Sequence, residues 1–357
     1  MDSNVIVITG SNSGVGLSLA KRLAQDAVTS RTAVTLCLAC RNPSRATKAR
    51  DEVLEETQQF VQSQGTGAEL SNLVQVDIVL VDTSNLASVA RAANELMTKY
   101  RVIDRLVLNA GILPMTGVNL AGIPDFLSDI SVGGCSTLGK QTDVTLPNGL
   151  KSIFCTNALG HHCLIELLKD HLAEQSRPCR IIWSSSRSAR KRHFNLKDIQ
   201  ALVAIDPYSS SKFCCDALSV AWHERFSSSN GNVTSFSSCP GLAMTSLTAA
   251  ILPQFVWFFI IPILYLLKLF TTMMTVTLWA GAEATFYLCK TPNVNTLDHR
   301  SKYVSEGRIG PCTVGMEKMP ISSQEALQVF NAIASLVKEH HADLALSNHN
   351  GNGVRCK

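Results

Sequence analysis

Tyr208 and Lys212 stand four residues apart in Tyr208-Ser209-Ser210-Ser211-Lys212. On a helix that spacing puts both side chains on one face, a turn apart. A phenol titrates near ~10, and an ammonium beside it favours the ionised form. The pair can therefore exchange a proton near neutrality. Far upstream, Thr9-Gly10-Ser11-Asn12-Ser13-Gly14-Val15-Gly16 follows the apolar run 5–8 and opens a helix-like segment. Glycines at such a junction let backbone approach a pyrophosphate, and the helix N-terminus offers free N–H groups and a positive dipole end. Arg41 directly follows a second strand-like run. Dinucleotide-binding folds that take NAD place an acid there, whereas a guanidinium suits the 2′-phosphate of NADP(H).

These groups need elements to position them. Strand-like runs at 5–9, 33–39, 73–81, 105–108, 180–183 and 232–238 alternate with helical patterns at 14–24, 43–62, 84–99, 150–172 and 207–226. Repeated β–α alternation with unbroken apolar strands predicts a parallel sheet covered by helices on both faces. The expectation is an α/β, Rossmann-type doubly wound domain over residues 1–249, with an insertion rich in Gly, Pro, Ser and Thr at 112–149. Residues 187–205 must loop out as a polar, basic connection.

The glycine spacing is TGxxxGxG, which resembles the short-chain dehydrogenase/reductase family. The resemblance assigns Thr9, Gly10, Ser11, Ser13, Gly14, Val15 and Gly16 to the cofactor, with Arg41 on the 2′-phosphate. Asp82 matches the family acid near the adenine, with Asp77 as a rival, and Asn109-Ala110-Gly111 matches an element that shapes the cofactor cleft. Ser184-Ser185-Ser186 ends the fifth strand, where the family keeps its catalytic serine; the pattern favours Ser186, with Ser185 the alternative. Asn157 completes an Asn–Ser–Tyr–Lys set, and Pro240, Gly241 and Thr245 resemble the element beside the nicotinamide. The implied cofactor is NADPH, gripped also by Tyr208 and Lys212. Stretches 36–42, 182–191, 207–212 and 251–253 resemble the branch of the family that reduces steroid and sterol ketones. That implies reduction of a sterol 3-ketone, and of the 17-ketone of a steroid such as estrone. In that chemistry Tyr208 protonates the developing alkoxide, Ser186 holds its oxygen, and Asn157 positions a water that reprotonates the relay. A retinal or other lipid-ketone reductase is the rival within the family, and a non-catalytic scaffold is the rival outside it.

Composition bounds the remainder. The chain has 357 residues, 46% hydrophobic and 17% charged, with a net charge of +4. That excludes global disorder and gives no case for nucleic acid. Residues 251–267 carry no charge; about 25 Å as a helix, they fall short of a ~30 Å hydrocarbon core. An apolar, membrane-associated lid over 250–285 is the expectation, followed by a C-terminal extension, 286–357, with a loose end. Arg190-Lys191-Arg192-His193 reads as a solvated loop or a contact for anionic headgroups. Residues 1–4 lead straight into the first strand with no signal-peptide pattern, so the 12 cysteines are expected as reduced core thiols. Cys37 and Cys40, three apart on a strand, should face opposite ways, and no metal is expected. His161-His162 and His340-His341 are expected on helix surfaces. The endoplasmic reticulum membrane with a cytosolic catalytic domain is the expected location, and a homodimer or a sterol-demethylation complex is left open.

Overall fold

The computed structural model describes residues 3–65, 67–119, 136, 139–229, 232–241, 275–307 and 312–340. Eight strands form one sheet in the order β10-β9-β8-β7-β4-β1-β2-β3, parallel except for the last, antiparallel pair β9–β10. The first half comprises β1 (Asn4–Thr9), α1 (Gly14–Ser30), β2 (Val34–Cys40), α2 (Pro43–Ser63), β3 (Val74–Leu80), α3 (Leu86–Lys99) and β4 (Arg105–Leu108). A small antiparallel pair, β5 (Met115–Val118) and β6 (Gly139–Gln141), stands apart from this sheet within the insertion. Then come α4 (Gly160–Glu174), β7 (Cys179–Ser184), α5 (Pro207–Ser229) and β8 (Val233–Cys239).

The sheet is buried on both faces because its strands carry side chains that suit either one. Val7, Cys37 and Val79 pack under α3, α4 and α5, while Ile6, Ile8, Leu36, Leu38 and Cys40 pack against α1 and α2. Cys37 and Cys40 thus point to opposite faces, as their spacing requires. Burial raises the Cys37 thiol to about 12. From β1 the chain winds outward through β2 and β3, then returns to place β4 on the other side of β1. This reversal opens a crevice at the carboxyl ends of β1 and β4, where α/β sheets take their ligands.

Three features depart from the expectations. The helix expected over 150–172 is broken: a short turn Ser152–Phe154 passes through a wide turn, Cys155–Leu159, of π-helical hydrogen bonding into α4. His161 and His162 are not on a helix surface; both are 1% exposed, on the face of α4 turned to the core. The C-terminal extension is no appendage, because β9 (Ser301–Glu306) and β10 (Thr313–Lys318) complete the sheet and the helix Ser323–Glu339 packs on α5. Of the lid expected over 250–285, residues 250–274 lie outside the described residues, as do Thr245 and His341, while the rest folds into the helices Leu278–Gly281 and Glu283–Lys290, which pack on α1. Among the described residues, no helix is long and apolar enough to cross a membrane.

Candidate active site

One cleft collects most of the residues singled out by sequence. Gly10, Asn12, Ser13, Gly14 and Val15 from the β1–α1 turn, Arg41, Asp82, Asn109, Ala110, Gly111, Ser184, Ser185, Tyr208, Lys212 and Pro240 all line it. Ser11 lies behind the turn, fully buried, with its hydroxyl donating to Ile8 O at 2.8 Å.

The glycine turn has two distinct steric demands. Gly10 has φ +66°, and a Cβ there would lie 2.7 Å from Ala110 Cα, so the turn closes on the end of β4 only with glycine. Gly14, at φ +61°, has no atom within 4 Å of where its Cβ would stand. That vacant space lies at the N-terminus of α1, whose Ser13 hydroxyl makes no capping bond and whose first turn holds no acid. Such a cradle fits a pyrophosphate. On its rim Arg41 is 74% exposed and lies 3.9 Å from Asp82. Asp82 Oδ1 accepts from Ser84 N–H and the Ser84 hydroxyl at 3.0 and 2.7 Å. The rival acid, Asp77, is engaged elsewhere, by the Tyr100 hydroxyl at 2.7 Å and Lys99 at 3.3 Å.

Helix α5 presents Tyr208 and Lys212 together, as a four-residue spacing demands. Lys212 is 5% exposed; its ammonium donates to Ser184 O at 2.8 Å and stands 5.8 Å from the centre of the Tyr208 ring. The end of α5 is held by Asp206, which is buried. Its carboxylate accepts from Ser209 N–H at 2.8 Å and from two groups of the insertion, Ser136 Oγ at 2.5 Å and Gln141 Nε2 at 2.7 Å. Gln141 Oε1 in turn accepts from Tyr208 N–H at 3.0 Å.

The two candidate serines are used differently. Ser185 is buried in the cleft wall and its hydroxyl points at Lys212 O, 3.5 Å away. Ser186 is half-buried and its oxygen accepts from Ser188 N–H at 3.0 Å. Among the described residues nothing accepts the Ser186 hydroxyl proton, although Ser185 and not Ser186 lines the cleft.

Asn157 sits in the π-type turn, a device that often marks functional positions. Its Oδ1 accepts from Ile112 N–H at 2.8 Å, and its Nδ2 donates to Ile112 O and Ser211 Oγ at 3.1 and 3.0 Å. Its backbone carbonyl accepts from His161 Nδ1 at 3.2 Å and Cys215 Sγ at 3.1 Å. Because Nδ1 must donate to that carbonyl, Nε2 is bare and accepts the Thr9 hydroxyl at 3.0 Å. Thr9 Oγ1 accepts from Asn109 N–H and Ala110 N–H at 2.8 and 2.9 Å. Burial, aided by the Lys212 charge, holds His161 down at about 3, so it stays neutral in this chain of bonds. The network ties the glycine turn, the end of β4 and Asn157 into one unit.

Two contributors were invisible in the sequence. Lys302, on β9, is 5% exposed; it pairs with Asp216 at 2.7 Å and donates to Ser186 O at 2.8 Å. Arg187 pairs with Glu317 at 2.8 Å and Glu306 at 3.7 Å. The last two strands therefore hold the serine turn from below, and no motif announces it.

Residues 4–254 match the short chain dehydrogenase family. The 3-keto-steroid reductase/17-beta-hydroxysteroid dehydrogenase 7 of Rattus norvegicus is 37% identical over 97% of this chain and 98% of its own. Its Homo sapiens namesake is 36% identical over 94% and 93%. Among solved structures, L-sorbose reductase of Gluconobacter frateurii, in complex with NADPH and L-sorbose, superposes with a TM-score of 0.57 at 18% identity, covering 86% of this chain and 97% of that one. The glycine cradle, the Tyr208–Lys212 pair and the doubly wound sheet agree with that match, and this protein belongs to the short-chain dehydrogenase/reductase family of oxidoreductases.

Proposed function

We propose that this protein is an NADPH-dependent reductase of steroid and sterol ketones, acting on the 3-keto group of sterol intermediates. The observation that carries the reading is the Tyr208–Lys212 pair beside a glycine cradle, in a chain that aligns along nearly its whole length with relatives named 3-keto-steroid reductase. A nicotinamide held in this cleft by the glycine turn and Arg41 would supply the hydride for the carbonyl carbon. Tyr208 gives its phenolic proton to the carbonyl oxygen as the alkoxide develops. The Ser186 hydroxyl donates a hydrogen bond to the same oxygen, a stabilisation strongest when charge builds there. Lys212 places a positive charge under the phenol and, through Ser184 O, fixes its distance from the serine strand. Asn157 holds the loop after β4 against α5 through Ile112 and Ser211. Arg41 favours NADPH over NADH, because a guanidinium pairs with a 2′-phosphate that Asp82 alone would repel.

The double name of the two mammalian relatives favours a second substrate, a 17-keto steroid such as estrone. A sterol ketone dissolves in lipid, so the enzyme works at a membrane surface, and we place it at the endoplasmic reticulum with the cleft open to the cytosol. NADPH oxidation by the detergent-purified protein with a 4-methyl-3-ketosterol, estrone and all-trans-retinal tests the substrate. The 3-ketosterol should be turned over. Tyr208→Phe should lower kcat/KM by about 10²–10⁴ while NADPH still quenches tryptophan fluorescence. Turnover of retinal alone overturns the substrate, and tight NADPH binding with no turnover points to a scaffold.

A further inference from the structure

Tyr208 is the second residue of α5, so the first turn of that helix decides where its phenol stands. A helix start leaves its first N–H groups without intrahelical acceptors. Here each is given one. Pro207 has no N–H, which suits the first helical position. Ser209 N–H donates to Asp206 Oδ1 at 2.8 Å and Ser210 N–H to Asp206 O at 3.2 Å, so Asp206 caps the helix. The Tyr208 N–H is served from outside the helix, by Gln141 Oε1 at 3.0 Å. Gln141 ends β6, in the insertion, 67 positions earlier in the chain.

The Gln141 amide can lie only one way round. Its Nε2 faces Asp206 Oδ1 at 2.7 Å and Ser136 O at 3.1 Å, while its oxygen faces an N–H. A carboxylate and a carbonyl only accept, and an N–H only donates. Asp206 is 1% exposed, and the Ser136 hydroxyl donates to its second oxygen at 2.5 Å. A buried polar network with its members paired holds one geometry. Two residues on, Asp143 serves the other helical segment of the site. Its Oδ1 accepts from Ser152 Oγ at 2.8 Å and Ile153 N–H at 3.0 Å, at the start of the turn that runs on into Asn157. Thr142, between them, donates its N–H to Pro114 O at 3.0 Å, which anchors the segment beside β5.

We propose that Gln141 is a positioning residue, through which the insertion, joined to Asp206, holds the Tyr208 phenol in register with Lys212 and the cleft. This rests on the proton-donating role given to Tyr208 above. Among the described residues neither Gln141 nor Asp206 lines the cleft, so their effect on the chemistry passes through Tyr208. Proton transfer is steep in distance, so a loosened first turn lowers turnover. The cofactor cradle is built from the β1–α1 turn and the end of β4 and is left as it was.

Gln141→Met tests it, because it keeps the side chain's length and removes both kinds of hydrogen bond. On a ketone that wild type reduces, it should lower kcat by about 10–100-fold, with KM for NADPH within about threefold of wild type. A second readout needs no ketone. Phenolate absorbance of the NADP⁺ complex, titrated against pH, should contain a step that Tyr208→Phe abolishes. Gln141→Met should move that step to higher pH, as the phenol leaves the Lys212 charge. Gln141→Glu alone sets two carboxylates face to face and should also lose kcat. The Q141E/D206N variant exchanges the donor and acceptor of the bridge and should return kcat to within about fivefold of wild type. If Gln141→Met matches wild type in both kcat and the phenolate step, the proposal fails. It fails also if turnover falls only with the folded fraction while the step stays put, or if the folded double variant recovers nothing. A step that moves in a chain that reduces no ketone would sink the substrate reading and leave the positioning of Tyr208 standing.

Discussion

At the scale of the residue, the site divides into groups that meet a ligand and groups that hold them. Ser185 and Ser186 are adjacent, yet among the described residues the Ser185 hydroxyl has an acceptor and the Ser186 hydroxyl has none, its oxygen being held by Ser188 N–H. Ser186→Ala should therefore lower kcat by about 10²–10³ with little change in KM for NADPH. Ser185→Ala should cost less than about tenfold; the reverse ranking in steady-state kinetics would move the catalytic role to Ser185. Arg41 offers a similar discrimination. Arg41→Asp removes the charge-assisted bonds to a 2′-phosphate, so KM for NADPH should rise roughly 10–100-fold and that for NADH should fall. An unchanged ratio of the two would show that Arg41 is a solvated surface residue. The residues were legible because each belongs to a local pattern: a glycine turn, an i,i+4 pair, a polar strand end. The Ser186 turn was legible only as a choice between neighbours, since nothing local distinguishes one hydroxyl from the next.

At the scale of the element, the last two strands brace the candidate site from beyond residues 4–254, the stretch that matches the family. Lys302 reaches from β9 to Ser186 O and forms a buried pair with Asp216 of α5. Lys302→Met leaves the Asp216 carboxylate in the core without a counter-ion, which should reduce unfolding free energy by about 3–5 kcal/mol in denaturant titrations. The double variant K302M/D216L should recover most of that stability but not the original kcat, because the serine turn has still lost its support. If K302M retains full stability, the pair is solvated and the support is not real. The broken helix before α4 belongs to the same scale. A continuous helix was the natural reading of 150–172, and periodicity cannot show one wide turn inside it. That turn is what aims Asn157 and its carbonyl at Ile112 and His161.

At the scale of the whole molecule, the interior contains imidazoles that refuse protons. Burial holds His161 and His162 down at about 3, and burial with the stacked His299 holds His223 at about 4. Above pH 6.5 these groups are neutral in folded and unfolded chains alike and contribute no pH dependence. As pH falls below 6.5 the unfolded chain takes up protons that the folded one does not, so stability is lost through the window from 6.5 down to about 3–4. Each fully buried histidine contributes up to about 1.4 kcal/mol per pH unit there. The melting temperature should fall across this window, and His162→Gln, which still offers Trp222 Nε1 an acceptor, should flatten the decline. A melting temperature independent of pH between 6.5 and 4.5 would rule the histidines out as its cause. The sequence by itself determined the strand–helix alternation, the glycine turn and the Tyr208–Lys212 pair on one helix face, because periodicity, glycine spacing and an i,i+4 interval act within a few residues. It misplaced His161 and His162, since a histidine's partners come from strands and helices far along the chain, here Thr9, Trp222 and Phe330. Only the tertiary structure decided that β9 and β10 complete the sheet and brace the serine turn. Strand pairing and buried ion pairs join residues many tens of positions apart, and neither leaves a periodicity to read.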